Sequence, residues 1–283
     1  MAHRRTWWGA VVASLLVSGP PLRSIGTTAE LPFELYQHHL VVIRGSIGPL
    51  SDLNLLIDTG TIPSMVDTRI ARKLRLHAES STLVAFGQQV RIQSAIVDGF
   101  HIGSVHSGPV PVGVADLSYL EGVRIDGIVG LELLARTSFS IDYQTRVLRF
   151  APESREHAVA PLEIVWPFVT VKMTIAGEQV RLLVDTGSSD LVLFKTRMPA
   201  ALSSAPWRGD KTVQYGSGAA RLRRLELRQS GLGAETWDRL GAWVLDRVPD
   251  GYPPGIDGVL GVLSVSCQRV HFDFERKELG WTR

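Results

Sequence analysis

Two aspartates stand in nearly the same words. Leu55-Leu56-Ile57-Asp58-Thr59-Gly60-Thr61 is matched by Leu182-Leu183-Val184-Asp185-Thr186-Gly187-Ser188. A short apolar strand delivers each carboxylate to a loop tip, where glycine tolerates the crowded backbone. Two carboxyl groups in contact share one proton rather than both ionising. Such a pair can hold a water between a base and an acid, one carboxylate taking the water's proton while the other protonates a carbonyl oxygen. Thr61 and Ser188 follow the two glycines, each within reach of its own carboxylate. If both hydroxyls donate to charged carboxylates they favour the ionised forms, and the expected pH optimum is acidic.

The elements that must position the aspartates are also repeated. Asp126-Gly127-Ile128-Val129-Gly130 recurs as Asp257-Gly258-Val259-Leu260-Gly261, and Phe139–Tyr143 recurs as Val270–Phe274. The three offsets are 127, 131 and 131 residues, so the second copy gains about four residues in its middle. Three landmarks in the same order describe a duplicated domain. Leu40–Arg44 and Val169–Ile175 read as strands, with turns at Gly45–Asp52 and Ala176–Gln179 leading into the strands that end at the aspartates. Ser64–Leu76 has apolar residues at helical spacing, Gly130–Arg136 suits a short helical turn, and polar Ala151–Glu163 reads as a linker. The fold class is all-β, as two lobes related by a pseudo-twofold axis with a cleft between them. The boundaries are 1–29 for a leader, 30–155 for the first lobe and 156–283 for the second.

The chain has 283 residues, of which 45% are hydrophobic and 20% charged, and it carries one cysteine, Cys267. That composition excludes disorder, collagen and a disulfide scaffold. The net charge of +2 depends on the leader, which contains Arg4, Arg5 and Arg23 and no acid; the remainder has a net charge of −1. No basic stripe of the kind that binds a phosphate backbone is present, so no nucleic-acid partner is expected. Met1–Arg5 is basic, Trp7–Val17 is an apolar run of 11 residues, and Thr27-Thr28-Ala29 suits cleavage. This is the layout of a secretory signal peptide. The run is shorter than the roughly 20 residues a spanning helix needs. The expectation is a periplasmic or secreted protein with no membrane span once the leader is removed.

The paired motifs resemble those of the aspartic peptidases in their retropepsin-like and pepsin-like forms, over residues 33–283. The resemblance implies that Asp58 and Asp185 are catalytic and that Thr59 and Thr186 interlock across the lobe interface. It implies that Ile128-Val129-Gly130 and Val259-Leu260-Gly261 thread the two catalytic loops. It further implies hairpin flaps, one at Tyr215-Gly216-Ser217-Gly218, 30 residues after Asp185, and a second at Phe86-Gly87, 28 residues after Asp58. Tyr215, Gly216, Phe86 and Gly87 are then substrate-binding, and Thr59, Gly60, Thr61, Thr186, Gly187 and Ser188 support the site. The Asp-Thr-Gly-Ser-Ser run lies in the second lobe instead of the first, pepsin-type disulfides are missing, and the lobes are short. A compact, fused, retropepsin-like bacterial protein fits better than a true pepsin.

Other conspicuous residues have plainer expectations. Asp126 and Asp257 bond to turn backbone, and Asp142 and Asp273 face solvent. His38 and His39, as neighbours on a strand, point to opposite faces and cannot share a metal. Cys267 is a small buried residue. Arg221-Leu222-Arg223-Arg224 is a solvated face or a guide for acidic substrates. The chain is therefore expected to be a monomeric single-chain endopeptidase acting on peptides or proteins, with no metal or cofactor. The alternatives are a catalytically inactive peptide-binding envelope protein and a structural envelope protein with the same fold.

Overall fold

The computed structural model describes residues 30–85, 88–103, 105–118, 122–150, 158–215, 218–248 and 252–283. Strands dominate it, with two short α-helices among the described residues, α1 (Thr68–Lys73) and α2 (Leu131–Leu134). None of the described helices is long and apolar enough to cross a membrane. Each half orders its strands alike. In the first, Leu50–Ile57 lies between Leu40–Ile47, antiparallel, and Gly127–Val129, parallel. In the second, Glu178–Asp185 lies between Phe168–Ile175, antiparallel, and Gly258–Gly261, parallel. Central strands covered on both faces read as continuous apolar runs, which is why Leu55, Leu56 and Ile57, like Leu182, Leu183 and Val184, are all buried.

The halves meet in a sheet to which each contributes three strands. Its order is Ala158–Pro161, Glu278–Thr282, Arg269–Asp273, Phe139–Asp142, Val147–Arg149 and Glu30–Tyr36. At its centre Phe139 pairs with Phe272, Ser140 with His271 and Ile141 with Val270. Ser140 and His271 are equivalent in the repeat, so the pseudo-twofold axis passes between them. Beside the axis the rings of Phe139 and Phe272 stack at 4.7 Å, a contact worth about 0.5–1.5 kcal/mol beyond its buried area. One continuous core draws on both halves, and each half adds a smaller apolar cluster, around Leu56 and Ile128 or around Leu183 and Val259.

Several sequence expectations change. Residues 64–76 are not one helix: Met65–Asp67 is a buried strand, parallel to Val110–Ala115, and only Thr68–Lys73 is helical. Asp67 ends the strand and caps the helix, its carboxylate accepting the Arg69 N–H, as an N-cap residue does. The first turn is shorter than Gly45–Asp52, because pairing runs to Ile47 and resumes at Leu50 around Gly48, whose φ of +53° suits a tight hairpin. Within the expected linker, Ala158–Pro161 is a strand paired with Glu278–Thr282 and Glu163–Val165 is another, while 151–157 lie outside the described residues. His38 and His39 sit in a turn, not on a strand.

Asp142 and Asp273 are buried, contrary to the alternation that put them outward. Each carboxylate caps the turn after its strand, Asp142 accepting from Gln144 and Thr145 N–H and Asp273 from Arg276 N–H. Arg269 crosses from the other half to pair with Asp142 at 2.7 Å. Burial alone would raise the Asp142 pKa, but the bonds from Thr145 and Arg269 outweigh it and hold the carboxyl below the usual range.

Candidate active site

Both aspartate loops are threaded in the same way. The Asp58 N–H donates to Val129 O at 3.1 Å and Leu131 N–H to Thr61 O at 2.9 Å, so residues 129–131 pass through the loop. In the second lobe Asp185 pairs with Gly261, and Gly261 N–H donates to Asp190 O at 2.9 Å. The passage admits no side chain. A Cβ on Gly130 would lie 2.5 Å from Thr61 O, and one on Gly261 would lie 2.4 Å from Ser188 O. Asp126 and Asp257 brace the entering strands, their carboxylates accepting Asn54 N–H at 3.0 Å and Arg181 N–H at 2.9 Å. The expected bonding to backbone is present, but the partner is the neighbouring strand and not the residue's own turn.

The loops lock together at the lobe interface through two buried threonines. Thr59 N–H donates to Thr186 Oγ1 and Thr186 N–H to Thr59 Oγ1, each at 3.1 Å. The hydroxyls then donate onward, Thr59 to Val184 O at 2.8 Å and Thr186 to Ile57 O at 3.1 Å. Each hydroxyl acts as both acceptor and donor, and the two residues it joins are those immediately after and before the opposite lobe's aspartate. The spacing of the two carboxyls is therefore fixed by backbone.

The carboxyls themselves face each other. Asp58 lies near enough to act on the Asp185 carboxyl through its charge and through hydrogen bonding. Gly60 and Gly187 make room for this, since a Cβ on Gly60 would lie 2.6 Å from Asp185 Cγ and one on Gly187 would lie 3.0 Å from Asp58 Cγ. Asp185 is 6% exposed. Burial, then the charge of Asp58 and the hydrogen bond with it, push the Asp185 carboxyl well above the usual carboxylate range, against the lowering pull of Gly187 and Ser188 N–H. These effects favour the neutral form of Asp185.

The surroundings are asymmetric. Asp58 accepts from Gly60 N–H at 2.8 Å and from the Thr61 hydroxyl at 2.6 Å. Asp185 accepts from Gly187 N–H at 2.7 Å, but the Ser188 hydroxyl does not reach it and turns to Asp190 O at 3.3 Å. The expectation that both hydroxyls donate to the carboxylates holds only in the first lobe. Asp58 thus receives a hydroxyl bond that Asp185 lacks, while burial and the neighbouring charge favour the neutral form of Asp185. The pair thus presents a base and an acid side by side, an arrangement able to bind a water and polarise a carbonyl.

Sequence reasoning missed five supporting residues, two of them acids. Glu132, buried at the start of α2, accepts Ser64 N–H at 2.7 Å, and Ser64 Oγ accepts Gly130 N–H at 2.8 Å, which ties the first loop to its threading segment. Burial raises the Glu132 carboxyl above its usual range despite the bonds from Ser64. Asp190 accepts Trp243 Nε1–H at 3.1 Å and pairs with Lys211, whose ammonium lies 4.3 Å over the Trp243 ring. The signal for both acids was present in the repeat, where Glu132 aligns with Leu263 and Asp190 with Pro63.

Two hairpins stand where flaps are expected. Glu79–Ala85 pairs with Gln88–Val97, closing at Ala85 and Gln88; Asp210–Tyr215 pairs with Gly218–Leu232, closing at Tyr215 and Gly218. Tyr215 thus ends a strand beside the second tip. Phe86, Gly87 and Gly216 lie outside the described residues. Cys267 is buried, with its thiol pushed up to about 12 by burial. The Arg221–Arg224 run is not uniformly solvated: Arg221 pairs with Asp210, and Arg223 with Asp246 while it lies 4.1 Å over Trp207. Among the described residues no group of three or more His, Cys, Asp or Glu side chains is placed to hold a metal.

Comparison with known proteins bears on both halves. A family model described as "Aspartyl protease" matches residues 41–133 and again 171–262. The crystal structure of an aspartic proteinase from Irpex lacteus is similar in fold, with a TM-score of 0.57 at 14% identity over 90% of this chain and 97% of that one. No curated protein matches the sequence.

Proposed function

This chain belongs to the aspartyl protease family, and we propose that it is a single-chain endopeptidase that hydrolyses peptide bonds with a water activated between Asp58 and Asp185. The observation that carries this reading is the meeting of the two carboxyls, each packed on the other loop's glycine so that a Cβ would lie 2.6 Å from Asp185 Cγ or 3.0 Å from Asp58 Cγ, held at the junction of the lobes by the Thr59–Thr186 interlock. In the proposed reaction the charged Asp58 takes a proton from the water as its oxygen attacks the scissile carbonyl. Asp185 gives its proton to the carbonyl oxygen, and no acyl-enzyme forms. The tetrahedral diol collapses as Asp58 passes its proton to the leaving nitrogen and Asp185 takes one back from a diol hydroxyl, which restores the pair. An extended peptide would lie between the two hairpins and bond to them through its backbone, in the manner of strand addition.

We place the reaction outside the cytoplasm, in the periplasm or the medium, on the strength of the leader at 1–29, and expect a monomer because one chain supplies both aspartates. The experiment is cleavage of a mixed peptide library across pH by the protein and by its Asp58→Asn and Asp185→Asn variants. Cleavage by the parent, lost in both folded variants, supports the proposal. Peptide binding without cleavage by the parent would assign the chain to the inactive peptide-binding class. Activity retained in either variant would remove the mechanism.

A further inference from the structure

The second lobe carries a concave, strongly basic site that shares no residue with either aspartate loop. It lies on the outer side of the hairpin formed by Gly218–Leu232 and Glu235–Leu245, where Arg224 pairs across the strands with Trp243, Glu226 with Gly241 and Arg228 with Arg239. Gly241 has no side chain to fill its place in the middle of this face, and a hollow of about 410 Å³ opens there. That volume is within the usual range for a small-ligand pocket, about 300–1,000 Å³. Arg208, Arg224, Arg228 and Arg239 all line it, against the single acid Glu226. Arg208 is brought in by the preceding loop, which lies along the strand through Arg208 N–H to Arg224 O at 2.9 Å and Arg224 N–H to Gly209 O at 2.8 Å.

Among the described residues the charge in this hollow is offset only in part, by Glu226. The neighbouring Arg221 and Arg223 are taken up by Asp210 and Asp246, yet none of the four lining arginines has an ion-pair partner within 4.0 Å among the described residues. Arg228 and Arg239 stand directly opposite each other, and like charges in that position weaken a hairpin. A site with this excess of guanidinium groups calls for a ligand that bears several negative charges. The guanidinium fork matches phosphate oxygens two at a time.

We infer that this hollow binds a ligand bearing two or more phosphate charges, as a free oligophosphate or as an anionic lipid headgroup. An anion seated over Gly241 bridges Arg228 and Arg239, removes their mutual repulsion and is reached by Arg208 and Arg224 from the other side. The inference is independent of peptide hydrolysis and stands or falls without it.

The test titrates the purified protein with sodium pyrophosphate at low ionic strength by calorimetry and thermal melting. A separate arm measures sedimentation with vesicles containing cardiolipin, whose headgroup bears two phosphates, against phosphatidylcholine vesicles. Pyrophosphate is expected to bind, to raise the melting temperature and to be released by added salt, as a partly exposed charge pair requires. The double variant Arg228→Ala/Arg239→Ala should weaken binding at least ~10-fold, since charge-assisted bonds are lost, while Arg72→Ala in the first lobe should leave it unchanged. Gly241→Glu, which puts a carboxylate in the hollow where a Cβ has 3.6 Å to Arg224 Nη2, should abolish binding with an unchanged circular dichroism spectrum. Arginine-dependent sedimentation with the cardiolipin vesicles alone, without pyrophosphate binding, assigns the phosphates to a lipid headgroup. Failure of both probes, or binding indifferent to the double variant and to Gly241→Glu, overturns the inference.

Discussion

Gly60 faces Asp185 across the lobe junction so closely that a Cβ at position 60 would lie 2.6 Å from the Asp185 carboxyl carbon, and Gly187 faces Asp58 in the same way at 3.0 Å. Each lobe therefore shapes the space for the other's carboxyl. Gly60→Ala is expected to displace Asp185 and lower kcat by about 10²-fold, the cost of misplacing a reacting group by about an ångström. Gly187→Ala, with more clearance, should lose less. Peptide cleavage with circular dichroism as a control for folding measures the difference.

Replacing either interlocking threonine by valine keeps the shape and deletes the hydroxyl. Thr186→Val leaves the buried Thr59 N–H without its acceptor, and an orphaned buried group costs about 1–3 kcal/mol. Thr59→Val should be equally harmful, since its hydroxyl accepts Thr186 N–H. Thr→Ser at either position keeps the bonds and should stay near the parent in melting temperature and kcat.

Thr61 and Ser188 should part company in a pH–rate profile. The Thr61 hydroxyl donates to Asp58 and favours the charged form of the pair, so Thr61→Ala is expected to move the acid limb to higher pH. Ser188 bonds to Asp190 O instead, and Ser188→Ala should leave that limb in place. Equal shifts in both variants would contradict the asymmetry.

Asp185 also links stability to pH. Its folded carboxyl titrates well above the usual range because of burial and the charge of Asp58. From about pH 4, where an ordinary aspartate ionises, the unfolded chain releases this proton while the folded chain retains it. The stability Asp185 contributes is whole below that pH and declines as pH rises through the raised folded value. Asp185→Asn should therefore melt higher than the parent at neutral pH, with the gap closing toward pH ~4. Melting curves of the two proteins across that range are the measurement.

Lys211 joins a hairpin strand to the second aspartate loop through Asp190 and the face of Trp243. Lys211→Met keeps the aliphatic stem and removes the charge. Because a partly exposed pair is worth only about 0–1 kcal/mol, the fold should survive. The hairpin should be less well held over the loop, and KM should rise several-fold, by about the same energy, with kcat little changed.

The duplication made the aspartate loops legible, since the same words at near-equal spacing imply the same threaded loop twice. It was equally the source of the main error at the site. Equivalence suggested that Ser188 would copy Thr61, but the residues that follow differ: Asp190 stands where the first repeat has Pro63, and its carbonyl draws the Ser188 hydroxyl away. Met65–Asp67 was misread because a short buried strand has no periodicity to separate it from a helix turn; its partner, Val110–Ala115, lies far along the chain. Asp142 and Asp273 defeated the alternation rule because turn N–H groups and arginines satisfy them inside. The four arginines around Gly241 are scattered in sequence; the hairpin register gathers Arg224, Arg228 and Arg239, and backbone bonds of the preceding loop add Arg208.

In the six-stranded sheet, the halves touch along one seam, Phe139–Asp142 against Arg269–Asp273. Severing the chain between residues 151 and 157 would leave every other strand of that sheet with its own neighbours and bare only this pair of edges. Each fragment would then carry an open template with Phe139 or Phe272 on it, prone to stick to copies of itself. Produced together, the fragments should find one another and rebuild the molecule; produced singly, each should precipitate or form a twofold imitation of the whole.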